Sequence, residues 1–347
     1  MPCIWVETDA DPVALAKAFE GLRFPGPRIA DAALDAEGRH WYFRCRDKNE
    51  PYCPSYRLLR FTQDEKTQRF MDPAGVYPAL RHLRSRLRGK PNTAPGENWW
   101  EGLAGTADSY QAAMDAGLIL ARYTKGPPPI PEIAESLREL PRGIPPGPEE
   151  QRMLLLCLLV SERPDLGFEL LKLCGFIGEF WQEIAVLGDV DHSKECHPEG
   201  NVWNHTMETF RHRKTRDLRL SLGLLLHDSG KPLARSSGNR RFDGHAELGA
   251  AQARRFLKRL GFDEPFIEDV GFLVRNHMLP AALPRLAITR IREVVESPLF
   301  PTLLELYRCD EASSFKSLEG YYASSGAYRA YIRRNPAGAG KIPFHKK

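Results

Sequence analysis

The sequence predicts a mainly α-helical protein that begins with a small α/β unit. Segments with the length and composition of short β-strands are confined to residues 1–90, whereas helical periodicity of apolar residues prevails from residue 108 onward. The hydrophobic share of 42% and the charged share of 27% are those of an ordinary globular protein, and 347 residues suffice for two or three compact units.

Shifts in composition divide the chain into parts. The Gly- and Pro-rich stretch at 91–107 separates the α/β unit from the helical remainder, and the C-terminal stretch NPAGAGKIPFHKK has little apolar surface to bury. We therefore expect an α/β unit at 1–100, a helical region at 108–190, an all-helical domain at 191–330 and a flexible tail at 335–347.

Four segments of the α/β unit have clear patterns. Three concentrate the β-branched and aromatic residues that are common in strands, and one has the apolar spacing of a helix. The strands are predicted at Cys3–Val6, Arg39–Arg44 and Arg57–Phe61, and the helix at Pro12–Glu20.

In the remaining chain, capping residues, glycines and prolines indicate where helices begin and end. Asn201 and Asp217 are predicted to cap two helices, and Gly230 and Pro232 to end the second of them. In the middle region, helices are predicted at Asp108–Arg122, Glu132–Leu140, Glu149–Ser161 and Asp165–Leu187. Further helices are predicted from Gly244 to Gly261, from Glu264 to about Asn276, and at Ile288–Glu296 and Thr302–Ala312.

Composition also bears on the location of the protein. The longest apolar run, Met153–Val160, is too short to span a bilayer, and Asp9 and Asp11 are not typical of a transit peptide. Seven cysteines without a CxxC pair indicate reduced thiols of a cytosol rather than a disulfide framework. We therefore expect a cytoplasmic protein with no membrane partner.

Positive charge is concentrated in two short stretches. The net charge of +4 is too small to indicate a nucleic-acid-binding protein by itself. Basic residues crowd the segments Arg81–Lys90 and Arg211–Arg219. Each segment is explained either by a solvated helix face or by a patch that faces phosphate.

The adjacent pair His227–Asp228 has an unusual position. It ends the almost wholly apolar segment LRLSLGLLL, where an imidazole and a carboxylate are costly to bury without a partner. In the last turn of a helix, both side chains can lean toward one ion beside the helix end. The pair is therefore a candidate metal-binding dyad.

Four more candidate ligands lie on separate predicted helices. They are His205, His245, His277 and Asp310. Imidazole nitrogens combined with carboxylate oxygens are typical of sites for Mn, Fe, Co, Ni or Zn, with Mg as a further choice. A single buried histidine is usually a hydrogen-bonded core residue, but six such residues in the order His, His-Asp, His, His, Asp favour a site for one or two divalent ions.

The sequence around these residues resembles the HD superfamily of metal-dependent phosphohydrolases, and in particular the HD domain fused to bacterial tRNA nucleotidyltransferases. The matching strings are HPEGNVWNHT (197–206), LLLHDSGKP (224–232), RFDGHAELGA (241–250), LVRNHM (273–278) and LYRCDEA (306–312). The resemblance implies an all-helical HD domain with a first ion held by His205, His227, Asp228 and Asp310. It implies a second ion held by His245, His277 and a bridging Asp228.

Two ions about 3.5–4 Å apart can activate water at neutral pH and stabilise the oxygens that attack and leave phosphorus. In such a site Asp228 would be catalytic. Lys231 would neutralise a phosphate oxygen, unless it only complements the dipole at the helix end. Arg211, Arg240 and Arg241 are further candidates for contact with a substrate phosphate.

The resemblance continues more faintly upstream. The strings VETDADPVALAKAF (6–19) and Phe61–Leu80 resemble parts of a nucleotidyltransferase palm, and the helices of 149–187 resemble its neck. The paired aspartates of that palm fall on Cys3 and Trp5, which cannot ligate Mg, and the Gly-Gly loop that holds a triphosphate has no counterpart in this sequence. The resemblance therefore implies a degenerate palm without nucleotidyl transfer.

Three functions are compatible with these features. The first is an enzyme that hydrolyses phosphomonoesters or cyclic phosphodiesters of nucleotides or RNA ends. The second is a module that binds tRNA or another RNA and keeps the HD domain as a scaffold. The third is a nucleotidyltransferase that works with a separate palm subunit. The complete set of six candidate ligands favours the enzyme, with a nucleotide or RNA phosphate as its substrate, and leaves the oligomeric state open.

Overall fold

The computed structural model describes most of the helical part of the chain and portions of the N-terminal part. The described residues are 3–8, 15, 19, 22, 30–36, 39–45, 59–63, 70–71, 109–124, 127–190, 200–237, 241–314 and 317–335. The chain separates into two compact units, Met1–Phe176 and Ile177–Lys347. The mainly helical fold class is confirmed, whereas the four-part division of the chain stays a prediction, and its tail segment lies almost entirely outside the described residues.

The first unit contains a mixed sheet. Its strands are β1 Cys3–Thr8, β2 Ala32–Ala36, β3 Arg39–Cys45, β4 Leu59–Gln63 and β5 Phe70–Met71. The strand order is β2-β3-β1-β4-β5, in which β1 runs parallel to β3 and β4, while β2 and β5 are antiparallel to their neighbours. The three predicted strands are present, and β2 and β5 were not predicted.

Only two residues of the predicted helix Pro12–Glu20 are described. Leu15 and Phe19 are both buried, and the Phe19 amide donates to the Leu15 carbonyl at 2.8 Å, as in a helix.

Four helices follow in the first unit. They are α1 Ser109–Tyr123, α2 Ile130–Arg138, α3 Pro148–Leu159 and α4 Pro164–Leu173. Proline in the first turn of the last three costs no helical hydrogen bond and fixes φ for the helix. Helices α1 and α4 approach closely at Gly117 and Gly167, where a Cβ on Gly167 would lie 2.7 Å from the Gly117 carbonyl oxygen.

The prediction of one helix at Asp165–Leu187 is wrong. Gly175 has φ of +88°, a left-handed conformation that ends α4 at Leu173. The chain continues in short segments: α5 Phe176–Phe180, α6 Gln182–Ala185 and a 3₁₀ turn at Val186–Asp189. The strongly apolar sequence predicted burial correctly and helix length incorrectly.

The second unit is built of helices and one small hairpin. Its longer helices are α7 Val202–His212, α8 Leu218–Leu226, α9 His245–Arg259, α10 Glu264–Asn276, α13 Phe300–Ala312 and α14 Glu319–Arg334. The shorter elements are α11 Leu279–Ala282, α12 Arg292–Val295, and the hairpin of β6 Arg235–Ser237 with β7 Arg241–Asp243. The hairpin and α14 were not predicted, and the predicted helix Ile288–Glu296 starts as a 3₁₀ turn at Ile288–Ile291.

Side-chain caps set the start of the helices that frame the site. The Asn201 carboxamide oxygen accepts from the Asn204 amide at 2.9 Å, and the Asp217 carboxylate accepts from the Leu220 amide at 2.9 Å, as predicted. Helix α8 is buried all round, with α7, α10 and α13 packed against it. The residues that follow Leu226 are therefore held at the centre of the second unit.

None of the helices in the part of the chain that the structure describes has an apolar stretch of 18 residues that would let it cross a bilayer.

Candidate metal centre

Five helices deliver the six candidate ligands to one region of the second unit. His227 and Asp228 directly follow the last residue of α8, and His277 follows the last residue of α10. His245 is the first residue of α9, after Gly244, whose φ of +77° turns the chain into that helix. His205 and Asp310 lie within α7 and α13. Helix ends suit ligands because the side chains there are not confined to one helical face.

The first group of ligands consists of His205, His227 and Asp310, whose ligand atoms all lie within 4.8 Å of one another. His205 Nε2 is 2.9 Å from Asp310 Oδ1, and His227 Nε2 is 3.9 Å from the same oxygen. The exposed fraction of each histidine side chain is 1%, and that of Asp310 is 23%. In this group the two histidines are therefore buried, whereas the Asp310 carboxylate is partly accessible to solvent.

The second group consists of Asp228, His245 and His277, again with ligand atoms within 4.8 Å of one another. Asp228 Oδ1 lies 3.8 Å from His245 Nε2 and 3.9 Å from His277 Nε2. His277 is 1% exposed, but the side chain of His245 is 13% exposed. A histidine of the second group is therefore more accessible to solvent than the histidines of the first group.

Asp228 joins the two groups through its two carboxylate oxygens. Oδ1 faces His245 and His277, while Oδ2 lies 3.3 Å from His227 Nε2. The same Oδ2 accepts a hydrogen bond from Lys231 Nζ at 2.7 Å. One carboxylate thus lies between both sets of histidines.

Backbone carbonyls fix the proton of three histidines on Nδ1. The acceptor is in each case the carbonyl three residues earlier: Leu224 for His227 at 2.8 Å, Phe242 for His245 at 2.7 Å and Val274 for His277 at 2.7 Å. Because a carbonyl can only accept, Nδ1 must carry hydrogen, and the Nε2 of a neutral ring is left with a lone pair. All three rings therefore present Nε2 as a ligand atom.

The arrangement of these lone pairs fits a bound cation. His245 Nε2 and His277 Nε2 lie 3.1 Å apart, and two lone pairs repel each other at that distance unless a positive charge lies between them. His227 Nε2 is buried and has no hydrogen-bond partner. The donor set, imidazole nitrogen plus carboxylate oxygen, suits a divalent transition metal.

Burial and neighbouring charge shift the ionisation of the site. Burial alone would raise the pKa of Asp228, but the charges of His227 and Lys231 hold it well below its usual range. The pKa of Asp310 is likewise lowered, because the hydrogen bond and charge of His205 outweigh burial. Burial and the neighbouring His227 lower the pKa of His277 to about 4, although Asp228 opposes this. Both carboxylates are therefore ionised and His277 is neutral at pH 7, which are the forms that bind metal.

Of the residues predicted to contact a substrate phosphate, Lys231 lies at the site and Arg211 does not. Lys231 lies at the site, with its ammonium on Asp228 and 5.8 Å from the centre of the Phe242 ring. Arg211 pairs with Glu208 at 2.8 Å, and it lies about 240° around α7 from His205, so it points to another side of the helix. Arg240 is outside the described residues, and of Arg241 only the backbone, in β7, is described.

Sequence reasoning missed two residues of the site. Ser313 follows α13, is buried, and has its Oγ 3.3 Å from His205 Nδ1. Gly230 lies against the first turn of α9, near the backbone of His245 and Gly249. No motif identifies either role, although Ser313 stands three residues after Asp310 and Gly230 two residues after Asp228.

The comparisons with known proteins concern the same part of the chain. Residues 200–305 match the family model described as HD domain, a range that includes all candidate ligands except Asp310. A CC-adding tRNA nucleotidyltransferase of Thermus thermophilus is 30% identical over 226 residues, which cover 63% of this chain and 51% of that protein. An A-adding tRNA nucleotidyltransferase of Deinococcus radiodurans is 26% identical over 338 residues, which cover 89% of this chain and 72% of that protein.

The chain is also similar to a bifunctional uridylyltransferase/uridylyl-removing enzyme of Mycobacterium tuberculosis, with 29% identity over 194 residues, which cover 54% of this chain and 21% of that protein. The chain spans about half the length of the Thermus relative. Residues 200–305 are therefore similar to HD domains, in a chain that is similar in sequence to tRNA nucleotidyltransferases.

Proposed function

We propose that the protein is a metal-dependent phosphohydrolase that cleaves phosphomonoesters or cyclic phosphodiesters of nucleotides or RNA ends. The observation that carries the proposal is the position of Asp228, whose Oδ2 is 3.3 Å from His227 Nε2 while its Oδ1 is 3.8 Å from His245 Nε2. A carboxylate shared between two sets of imidazoles is a suitable bridge for one or two divalent ions. Mn, Fe, Co, Ni or Zn would suit the donor set, and Mg is a further choice.

The ligands would be those named from the sequence. A divalent ion would supply a Lewis acid that polarises a phosphoryl oxygen and activates water near neutral pH. The chain itself contributes fixed ligand directions, since the Nδ1 hydrogens of His227, His245 and His277 are held by backbone carbonyls. These hydrogen bonds keep the rings from turning when a substrate enters.

Lys231 would have a role in catalysis and in substrate binding. Its ammonium lies 2.7 Å from Asp228 Oδ2, and its side chain is 13% exposed, so the charge borders the opening of the site. The hydrogen bond to Asp228 would hold the ammonium close to the phosphate of a bound ester. There it would neutralise charge that develops on a phosphoryl oxygen.

The charge of the site favours an anionic substrate. Only two carboxylates of the candidate ligand set, Asp228 and Asp310, oppose the charges of Lys231 and the ions, so the loaded site would be positive with one ion or with two. A phosphate ester would be attracted to such a site. The similarity to tRNA nucleotidyltransferases supports a nucleotide or an RNA end, including that of tRNA, as the rest of the substrate.

A second candidate function is an RNA-binding module whose HD domain is a scaffold. The observation that favours it is the similarity to the Deinococcus tRNA nucleotidyltransferase, which extends over 89% of this chain and not only over the HD domain. The two functions differ in what the protein retains when it is purified without added ions. Bound transition metal supports the enzyme, whereas co-purified RNA on a metal-free protein supports the module.

The proposed activity is tested with a panel of phosphomonoesters and 2′,3′-cyclic phosphodiesters in the presence of Mn, Ni, Co or Mg in turn. We expect release of phosphate, or opening of the cyclic ester, that a chelator abolishes. Asp228→Ala should remove the activity almost completely, because the carboxylate faces both ligand groups. Asp269→Ala is the matched control, since Asp269 pairs with Arg219 on the surface. An Asp228→Ala protein as active as the control would contradict the proposal.

A further inference from the structure

The ammonium of Lys231 has an aromatic neighbour at the opening of the site. Phe242 lies in β7, its side chain is partly exposed, and its ring centre is 5.8 Å from Lys231 Nζ. This distance is near the outer limit of a cation–π contact, about 6 Å, so the ammonium does not pack tightly on the ring. The Phe242 carbonyl oxygen lies 2.7 Å from His245 Nδ1. The backbone of Phe242 thus keeps its ring close to the second ligand group.

A partly exposed phenylalanine is not by itself evidence of a binding site. Phe266 at the start of α10 is also partly exposed, and the guanidinium carbon of Arg219 lies 5.2 Å from its ring centre. Phe266 precedes His277 by 11 residues, however, which is about 16 Å along a helix axis. Phe242 differs from it because Lys231, its cationic neighbour, lies at the site itself.

Exposed apolar side chains are concentrated near the second ligand group. Among the described residues of the second unit, three of the five large hydrophobic side chains that are exposed lie within five residues in sequence of a ligand of this group. These three are Leu233, which follows Asp228, Leu248, which lies one turn after His245, and Met278, which follows His277. One exposed apolar residue is ordinary, whereas several near one polar centre are typical of a surface that contacts a ligand.

The substrate class that suits both the charge and the apolar side chains is a nucleotide. Its phosphate would be attracted by the ions and by Lys231, and its flat aromatic base would contact an exposed ring. Inorganic phosphate has no aromatic part, so Phe242 would add nothing to its binding.

We propose that Phe242 is a substrate-binding residue that contacts the base of a nucleotide. The inference rests on the proposed function, according to which the phosphate of the substrate lies at Lys231 and Asp228. A phenyl ring has no hydrogen-bonding group, so Phe242 favours a ligand with a base without selecting one base among the four. Leu248 and Met278 extend the apolar surface near the histidines of the second group.

The test compares nucleotides with a ligand that has no base. The nucleotides are 5′-AMP, 3′-AMP and 2′,3′-cyclic AMP, which differ in the position of the phosphate, and the ligand without a base is inorganic phosphate. With the metal that gives the highest activity, the KM is measured for the nucleotide that is hydrolysed fastest, and the inhibition constant is measured for phosphate.

We expect Phe242→Ala to raise the KM of the nucleotide by about 5- to 150-fold, which corresponds to the loss of one base–aromatic stacking contact, with little change in kcat. The inhibition constant of phosphate should stay the same, which would also show that the variant has kept its site. Phe242→Tyr keeps an aromatic ring and should keep most of the affinity for the nucleotide.

Phe266→Ala is the matched control, because it also removes a partly exposed ring with a cation beside it. A KM of Phe242→Ala equal to that of Phe266→Ala would overturn the proposal. An equal rise of the KM and of the inhibition constant of phosphate in Phe242→Ala would overturn it too, because the ring would then act through Lys231 and not on a base.

Failure of the proposed function would give a different result. A wild type that hydrolyses other phosphate esters but none of the three nucleotides would overturn the role of Phe242 and leave metal-dependent hydrolysis in place. A wild type that hydrolyses no ester would contradict the proposed function. Calorimetric titration of the Co²⁺-treated protein with 5′-AMP and with phosphate would then decide the role of Phe242. Tighter binding of 5′-AMP that is lost in Phe242→Ala would support the contact with the base, and equal binding of the two ligands would overturn it.

Discussion

Gly230 lies backbone to backbone against Gly249, so that the turn after His227–Asp228 touches the first turns of α9. A Cβ on Gly230 would overlap with the amide nitrogen of Gly249 and with the carbonyl oxygen of His245. The φ of Gly230 is −85°, which any residue adopts, so space and not conformation requires glycine here. This contact sets the separation between Asp228 and His245, which belong to the same ligand group.

Gly230→Ala should therefore push α9 away from the turn. We expect the free energy of unfolding to fall by about 1–3 kcal/mol, as for other overpacked sites, and the bound metal to decrease because His245 moves away from Asp228. Gly271→Ala is the control, since a Cβ at that position of α10 meets nothing within 4 Å. Alanine in a helix interior is more favourable than glycine by up to about 1 kcal/mol, so this variant should be as stable as the wild type or more so. Denaturant unfolding and metal analysis decide, and equal stability of the two variants would refute the role of Gly230.

The sequence was sufficient to predict most of the second unit because its signals are local. Asn201 and Asp217 each accept a hydrogen bond from the amide three residues later in the chain. The stretch Leu218–Leu226 is so apolar that its burial could be predicted without knowledge of the helices that pack against it. His227 and Asp228 could be named because polar residues at the end of an apolar helix are costly to bury. The other four candidate ligands were named from their order in the sequence and from the resemblance of the surrounding strings to a known family. By contrast, the break at Gly175 depends on one left-handed residue within a stretch that is apolar on both sides.

Long-range contacts explain what the sequence did not predict about the site. Ser313 contacts His205, which is 108 residues away in the chain, and Gly230 contacts the backbone of α9. Helix α14 contains only one aliphatic residue larger than alanine, Ile332, and is held by contacts such as the Ser324 hydroxyl on the Pro280 carbonyl at 2.6 Å. None of these three relationships has a pattern that repeats along the chain.

We expect no addition of nucleotides to tRNA. By the resemblance to a nucleotidyltransferase palm, the positions of its paired aspartates fall on Cys3 and Trp5 of β1, and neither side chain offers the oxygen ligands that Mg requires. The measurement is incorporation of labelled CMP or AMP into a tRNA that lacks its 3′ end, with CTP or ATP and Mg. Incorporation above that of a protein-free control would refute the prediction. A double variant, Cys3→Asp with Trp5→Asp, shows whether the carboxylates alone restore transfer.

The stability of the metal-free protein should fall in mild acid because of His277. Its folded pKa is about 4, whereas an unfolded histidine titrates near 6.5. Between these values the unfolded chain binds more protons than the folded one, so the contribution of His277 is fully present above about pH 6.5 and is lost as the pH falls toward 4. The difference corresponds to about 3 kcal/mol.

The measurement is the free energy of unfolding in chelator from pH 7 to pH 4. His277→Asn should have a smaller pH dependence over this range than the wild type, because asparagine does not titrate. His212→Asn is the control for the loss of an imidazole outside the two ligand groups, since His212 is partly exposed at the end of α7. A His277→Asn slope equal to that of the wild type would contradict the prediction.

The two ligand groups should differ in how firmly they hold an ion. His205, His227 and Asp310 form a group of their own, with Asp228 Oδ2 3.3 Å from His227, so up to four ligands surround the first position. The second position has two imidazoles and depends on the shared Asp228. His245 is also the more exposed histidine, which makes its ion easier to lose.

His245→Ala should therefore leave about one tightly bound ion per chain and a folded protein, with reduced activity that excess metal restores in part. His227→Ala should remove metal from both positions, because it deletes a ligand of the first group and leaves space beside the shared Asp228, whose Oδ2 lies 3.3 Å from the His227 ring. Metal analysis of the two purified variants, with His212→Ala as the control, measures the difference. Equal loss in His245→Ala and His227→Ala would mean that the two positions fill together. Unchanged metal content and full activity in His245→Ala would mean that a single ion suffices, and that His245 and His277 serve the site in another way.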